Sequence, residues 1–135
     1  MPCLLDTNVL LDILTDDPAW GEWSARQFAR AHAAGPLPLN PSIYAELAAH
    51  FLNPADLDHF LRPSVFKRLP LPYEAGFRAS RAFLAYREAG GKRTSPLPDF
   101  YIGAHAETAG FTLVTRDVTR YRTYFPEVKL ITPEN

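Results

Sequence analysis

One cysteine in 135 residues means that no intramolecular disulfide can form. Cys3 stands in an apolar stretch, where a buried, unreactive thiol is expected. No apolar run approaches the ~18 residues needed to cross a bilayer. The opening Met1-Pro2-Cys3-Leu4-Leu5-Asp6 lacks a basic region followed by a long apolar segment. A cytoplasmic protein with no signal peptide and no membrane contact is therefore expected. Net charge is only −1, which by itself points neither toward nor away from nucleic acid. There is no internal repeat, linker or low-complexity tract, and no Ser-His-Asp or Cys-His arrangement that would supply a protein nucleophile.

What the chain has in excess is proline, 13 residues against an ordinary share of about 5%. The prolines are dispersed, so they punctuate a compact fold instead of forming a disordered run. A hydrophobic fraction of 47% and a charged fraction of 21% are ordinary for a globular protein. The length suits one domain, residues 1–135, with a core that needs no covalent staple. Charge is distributed unevenly: residues 1–60 hold eight acids against two arginines, and residues 61–135 hold seven acids against twelve Lys/Arg. A basic half can contact phosphates while an acidic half contributes metal ligands.

Periodicity predicts strands alternating with helices. Cys3–Asp6 reads as a short apolar strand ending in a carboxylate, and Thr7–Leu14 as a helix with Val9, Leu10, Ile13 and Leu14 on one side. Trp20–Ala33 is a second amphipathic helix, stopped by Gly35-Pro36. Leu37–Leu39 is a brief strand. Asn40-Pro41-Ser42 is a helix start, Asn40 being the N-cap and Pro41 the first helical residue, and this helix is expected to reach about Leu52. Pro54–Leu61 adds a short helix, and Val65–Leu71 an edge strand interrupted by proline. A long helix over Tyr73–Ala89 ends at Gly90-Gly91. After a polar loop follow a helix at Asp99–Ala109, a strand at Phe111–Thr115, a short helix at Val118–Phe125 and a last strand at Val128–Ile131. Apolar strands between helices argue for an α/β fold with a mostly parallel sheet covered on both faces. In such sheets the ligand site lies beyond the carboxyl ends of the strands.

Four acids occupy such places. Asp6 ends the first strand, and Asp117 follows Leu113-Val114-Thr115-Arg116. Asp99 opens the helix Asp99-Phe100-Tyr101-Ile102, and Glu46 lies inside a helix among Ile43, Ala45, Leu47 and Ala48. Singly, the three aspartates also fit helix capping or the helix dipole. Glu46 does not, and a carboxylate on so apolar a helix needs a partner. Four carboxylates in one pocket repel by roughly 1 kcal/mol per pair at ~4 Å in bulk water, and about 4 kcal/mol at an effective dielectric near 20. Protons or cations must neutralise them, and hard oxygen ligands suit Mg²⁺ or Mn²⁺. Two such ions, ~3.5–4 Å apart, can hold a phosphodiester and activate water for in-line attack.

The motifs Leu5-Asp6-Thr7-Asn8-Val9-Leu10, Ser42-Ile43-Tyr44-Ala45-Glu46-Leu47, Pro98-Asp99-Phe100-Tyr101-Ile102-Gly103-Ala104-His105-Ala106 and Leu113-Val114-Thr115-Arg116-Asp117 occur in that order. The closing Tyr121 to Phe125 and Val128-Lys129-Leu130-Ile131-Thr132-Pro133 follow them. In this order the chain resembles the PIN domains, and among them the VapC-type toxins of toxin–antitoxin pairs, over nearly its whole length. The resemblance implies a three-layer α/β/α sandwich with about five mostly parallel strands, and cleavage of RNA with Mg²⁺ or Mn²⁺. Asp6 and Asp99 would be the primary metal ligands. Glu46 and Asp117 would complete a second site or orient water, and Asn8 and Thr115 would support them. It also implies a cognate antitoxin and a homodimer.

Among the basic residues, Lys92 and Arg93 precede Asp99, while Arg116, Arg120 and Arg122 lie near Asp117. Facing the pocket they would grip phosphates, Arg116 foremost because the motif places it beside Asp117. His50, four residues after Glu46, and His105 are read as satisfied or exposed histidines, since a Zn²⁺ site would want more nitrogen or sulfur ligands. Trp20, Trp23 and Phe28 form an aromatic stripe expected to pack, with Trp20 partly exposed at the antitoxin groove the resemblance implies. Asp12, Asp16, Asp17, Asp56 and Asp58 read as solvated acids. A haloacid-dehalogenase-like phosphatase would need a second aspartate where Asn8 stands. A DNA-directed nuclease and a non-catalytic RNA- or protein-binding module remain as alternatives.

Overall fold

The computed structural model describes residues 2–93 and 97–134. Residues 94–96, in the polar loop expected before Asp99, lie outside the described residues. In chain order the elements are β1 (Cys3–Leu5), α1 (Thr7–Leu14), α2 (Gly21–Ala33), β2 (Leu37–Leu39), α3 (Pro41–Ala48) and α4 (Pro54–Phe60). They continue with β3 (Phe66–Arg68), α5 (Tyr73–Glu88), α6 (Pro98–Ala109), β4 (Thr112–Val114), α7 (Val118–Tyr124) and β5 (Leu130–Ile131). The result is a three-layer α/β/α sandwich. Among the described residues no helix is long and apolar enough to cross a membrane.

Every strand pairing is parallel. Leu4 pairs with Leu113 and Leu5 with Val114, while Leu113 and Val114 pair on the other side with Leu130 and Ile131. Leu4, Leu5, Leu37, Leu39, Leu113 and Val114 are all buried, which requires helices on both faces and explains why these strands are apolar rather than alternating. The ladder is divided: β1-β4-β5 form one hydrogen-bonded part and β2-β3 another, although β2 runs beside β1. Pro38 accounts for the break. The Leu37 N–H donates to the Val65 carbonyl (2.9 Å), and the Leu39 carbonyl accepts from the Leu69 N–H (2.7 Å). These two residues therefore turn their main-chain groups toward β3. Pro38, between them, faces the β1 side with no N–H to give.

The structure shortens several expected elements. α3 stops at Ala48 instead of about Leu52, because a second Asn-Pro start follows. The Asn53 side chain accepts from the Asp56 N–H at 3.0 Å, and this cap needs Asn53 in an extended conformation (φ −151°, ψ 159°) that no helix can pass through. The strand expected over Val65–Leu71 is confined to Phe66–Arg68, ahead of Pro70 and Pro72. The last strand comprises only Leu130–Ile131. At the start of α3, the Asn40 side chain accepts from the Ile43 N–H (2.9 Å) with Pro41 in the first turn, as its sequence predicts.

α6 packs against α5 and α3, and it carries Asp99 in its first turn. Gly103, in its middle, lets Phe125 seat directly on the helix. A Cβ at position 103 would lie 2.5 Å from the Phe125 ring, and the ring is fully buried with nowhere to swing. Gly103→Ala should therefore destabilise the fold. The gain of about 0.5–1 kcal/mol in helix propensity is outweighed by overpacking worth roughly 1–3 kcal/mol. Urea denaturation should show a lower midpoint with an unchanged slope; a higher midpoint would mean that the ring can move.

Candidate active site

β1 and β4 are adjacent parallel strands, so the residues that follow them emerge side by side at the carboxyl edge of the sheet. The Asp6 N–H completes the ladder by donating to the Val114 carbonyl (2.9 Å), after which the chain turns into α1. Asp6 caps that helix, its Oδ1 accepting from the Thr7 N–H at 2.8 Å. Its Oδ2 accepts from the Thr115 hydroxyl at 2.7 Å and from Asn8 Nδ2 at 3.3 Å. The same Thr115 oxygen accepts the Asp117 N–H at 3.0 Å. Asn8 in turn accepts the Arg116 N–H at 3.4 Å. Glu46 reaches in from α3, where its Oε1 accepts from the Thr7 hydroxyl at 2.7 Å.

Asp99, in the first turn of α6, acts by charge on both Asp6 and Glu46, and Asp117 acts on Asp99, so the four acids named from the sequence lie toward one edge of the sheet. Asp6 is only 2% exposed, and burial pushes its carboxyl up to about 7, against the hydrogen bond from Thr115 and with added repulsion from Asp99. Burial also raises Glu46, which Thr7 partly offsets and Asp99 reinforces. Burial raises Asp99 too, opposed by Arg120 and assisted by Asp117. Asp117 occupies the N-cap position of α7 but makes no side-chain cap bond, so capping does not use up its carboxylate. Asp99 is thus the acid through which the charges meet, repelling Asp6 and Glu46 and repelled by Asp117, in surroundings whose burial makes proximity more costly.

Two groups on α7 stand beside the acids: Arg120, one of the arginines named from the sequence, and Tyr121, to which the sequence reading gave no role. Arg120 Nε lies 3.6 Å from Asp99 Oδ2, with the guanidinium over the rings of Tyr86 and Phe100. Tyr121 is fully buried, and the acids Asp6, Asp99 and Asp117 act on its hydroxyl, whose pKa is well above the usual phenol value, chiefly through burial. A usable signal was present. Positions three and four after an N-cap share its side of the helix, so Asp117 points to residues 120 and 121.

Arg116, expected to grip phosphate, is instead committed elsewhere. Its Nε and Nη2 bind the two oxygens of Asp12 at 2.7 and 2.8 Å. Asp12 was read as solvated, yet it is 3% exposed and also accepts from Ser24 at 2.7 Å. A buried carboxylate needs that partner, so Arg116 serves as the clamp joining the β4–α7 turn to α1. Trp20 lies against the guanidinium at 5.3 Å and remains partly exposed. Asp16, Asp56 and Asp58 are exposed, while the half-buried Asp17 accepts from the Trp20 N–H at 2.8 Å. His50 is exposed. His105 is buried and accepts through Nδ1 from Asn40 at 3.0 Å, with its pKa lowered by burial. Cys3 is half-buried rather than enclosed, and burial raises its thiol.

Among the described residues no three His, Cys, Asp or Glu side chains already converge as a ready-made chelate. The all-oxygen set still fits Mg²⁺ or Mn²⁺, since Mg²⁺ is usually held by one or two carboxylates and keeps several waters. Burial is the chief cause of the raised pKa values of Asp6, Glu46 and Asp99, and Arg120 is the cation set against it at Asp99.

The PIN domain family model matches residues 3–126. Among solved structures, the fold is similar to VapBC-1 from nontypeable Haemophilus influenzae, with a TM-score of 0.73 and 17% identity over 100% of both chains. It is similar to VapBC2 from Rickettsia felis, solved bound to a DNA fragment from their promoter, with a TM-score of 0.72 and 16% identity over 98% of both chains. FitAcB from Neisseria gonorrhoeae gives a TM-score of 0.68 and 23% identity, covering 98% of this chain and 99% of that one. No curated protein matches the chain.

The raised Asp6 pKa has a definite consequence for stability. Between the unfolded value near 3.9 and the folded value of about 7, the native state holds a proton that the unfolded chain has released. This contribution is complete below pH ~4 and is lost as pH rises through 7, a change on the order of 4 kcal/mol. In chelator, denaturation from pH 4 to 8 should show this decline, and Asp6→Asn should flatten it. An unchanged slope in the variant would rule out the buried, protonated Asp6.

Proposed function

Because the chain belongs to the PIN-domain family, we propose that it is a divalent-metal-dependent endoribonuclease and the toxin of a VapBC-type toxin–antitoxin pair. The observation that carries the reading is the frame of hydrogen bonds from Thr7, Asn8 and Thr115 that holds Asp6 and Glu46 at the carboxyl edge of the sheet, with Asp99 near enough to act on both and Asp117 near enough to act on Asp99. A structural role alone gives no reason to concentrate negative charge there, whereas a cation would relieve it.

Asp6 and Asp99 are the residues that would hold Mg²⁺ or Mn²⁺, with Glu46 and Asp117 at its margin. When bound, the ion supplies Lewis acidity toward a phosphodiester and makes water a competent nucleophile near neutral pH. The chain's own residues do the positioning. Thr115 and Asn8 fix Asp6, Thr7 fixes Glu46, and the Thr115–Asp117 bond sets the start of α7. Arg120 places a guanidinium beside Asp99, where it can meet a phosphate oxygen. Twelve Lys/Arg in residues 61–135 supply further attraction for a polyanion. In this reading the partners are RNA, a cognate antitoxin and a second copy of the chain, and the protein acts in the cytoplasm.

The test is cleavage of structured RNA and of DNA by purified protein with Mg²⁺, with Mn²⁺ and with chelator, beside Asp99→Asn. RNA should be cut only with a divalent ion, and the variant should lose activity by about 100-fold or more. Preferential cutting of DNA would replace the substrate. Equal inertness of wild type and variant, both folded and metal-binding, would favour a binding module.

A further inference from the structure

Among the described residues, two buried side-chain polar atoms have no hydrogen-bond partner, Arg120 Nη1 and the Tyr121 hydroxyl. The first has an explanation in the aromatic faces beneath its guanidinium. The second has none. A phenylalanine would fill the same space, because the Tyr121 ring already packs in the core against Phe125 with centroids 6.4 Å apart. The oxygen adds nothing to that packing and is costly to bury unpaired.

The charged groups that act on it are the carboxylates of Asp6, Asp99 and Asp117. The hydroxyl is near enough to act on both Asp6 and Asp99, yet it makes no well-formed hydrogen bond to either. Asp6 is already served: Thr7 holds one oxygen, and Thr115 with Asn8 the other. Among the described residues Asp99 receives no comparable bond, and Arg120 stands off at 3.6 Å. The hydroxyl falls short of a well-formed bond to either carboxylate while still acting on both, and of the two only Asp99 has no other close side-chain or backbone donor among the described residues.

We propose that Tyr121 is a positioning residue of the acid cluster, its hydroxyl being the donor that fixes Asp99 in the orientation that accepts a divalent cation. The proposal rests on the metal-dependent reading above. Side chains that hydrogen-bond metal ligands typically set affinity by 10–100-fold, and a fixed carboxylate spares the ion the cost of ordering it.

The experiment measures Mn²⁺ binding to the purified full chain, as free Mn²⁺ by electron paramagnetic resonance, together with thermal unfolding in chelator. The variants are Tyr121→Phe and, as a control on the same helix, Tyr124→Phe. Tyr121→Phe should weaken Mn²⁺ binding roughly 10–100-fold while the metal-free chain melts at the same temperature or higher, because the deleted oxygen had no partner. Tyr124→Phe should leave the affinity unchanged. Unchanged or tighter binding by Tyr121→Phe would overturn the role of Tyr121 and leave the metal reading standing. Weaker binding together with a lower melting temperature, or failure to fold, would overturn it in favour of a structural hydroxyl. Wild-type protein that binds no Mn²⁺ would overturn both.

Discussion

The hydroxyl of Thr115 uses all its hydrogen-bonding capacity at the carboxyl edge of the sheet, giving its proton to Asp6 and accepting from the Asp117 N–H and, at 3.4 Å, from Asn8. Around that single oxygen the ends of β1 and β4 are tied into one surface. The tie matters because the groups it assembles repel. Asp6, Glu46, Asp99 and Asp117 come from four separate segments, and without fixed donors each would turn away toward solvent. Local hydrogen bonds hold the acids, while the apolar strands and the helices over them supply the rigidity.

Cations are allotted by the same electrostatics. Arg116 is adjacent in sequence to Asp117 but is consumed by the buried Asp12, whose charge it must balance. Arg120, one helical turn further on, stands beside Asp99 on a bed of aromatic rings. A guanidinium held over Tyr86 and Phe100 keeps its charge without a tight ion pair, so it lowers Asp99 without occupying it. The chain thus separates two tasks that a sequence pattern merges: one arginine fastens the loop and another sets the potential of the pocket.

Much of this was legible because it is local. An acid directly after an apolar strand, an Asn-Pro helix start and a mid-helix glutamate each carry their reason within a few residues, and the structure places Asp6, Asn40 and Glu46 accordingly. What escaped depends on partners far along the chain. Asp12 looks solvated until Arg116, 104 positions away, is seen to cover it. Tyr121 stands in the closing motif with no role attached to it, and no periodicity tells that the oxygen of a buried tyrosine lies among carboxylates. The division of the sheet at Pro38 needed the strand order, since a missing N–H matters only on the side where a neighbour waits.

The pairing of β1 with β4 has a temporal meaning. Cys3 to Leu5 find their partners at Thr112 to Val114, and Asp6 meets Thr115 across a separation of 109 positions. A chain emerging from the ribosome has Asp6 within moments but must wait for most of the remaining synthesis before the strand and hydroxyl that organise it exist. Closure of so long a loop is slow compared with helix formation. On the reading proposed here, a nuclease of RNA stays harmless to the ribosome making it, because an unfinished copy has no assembled pocket.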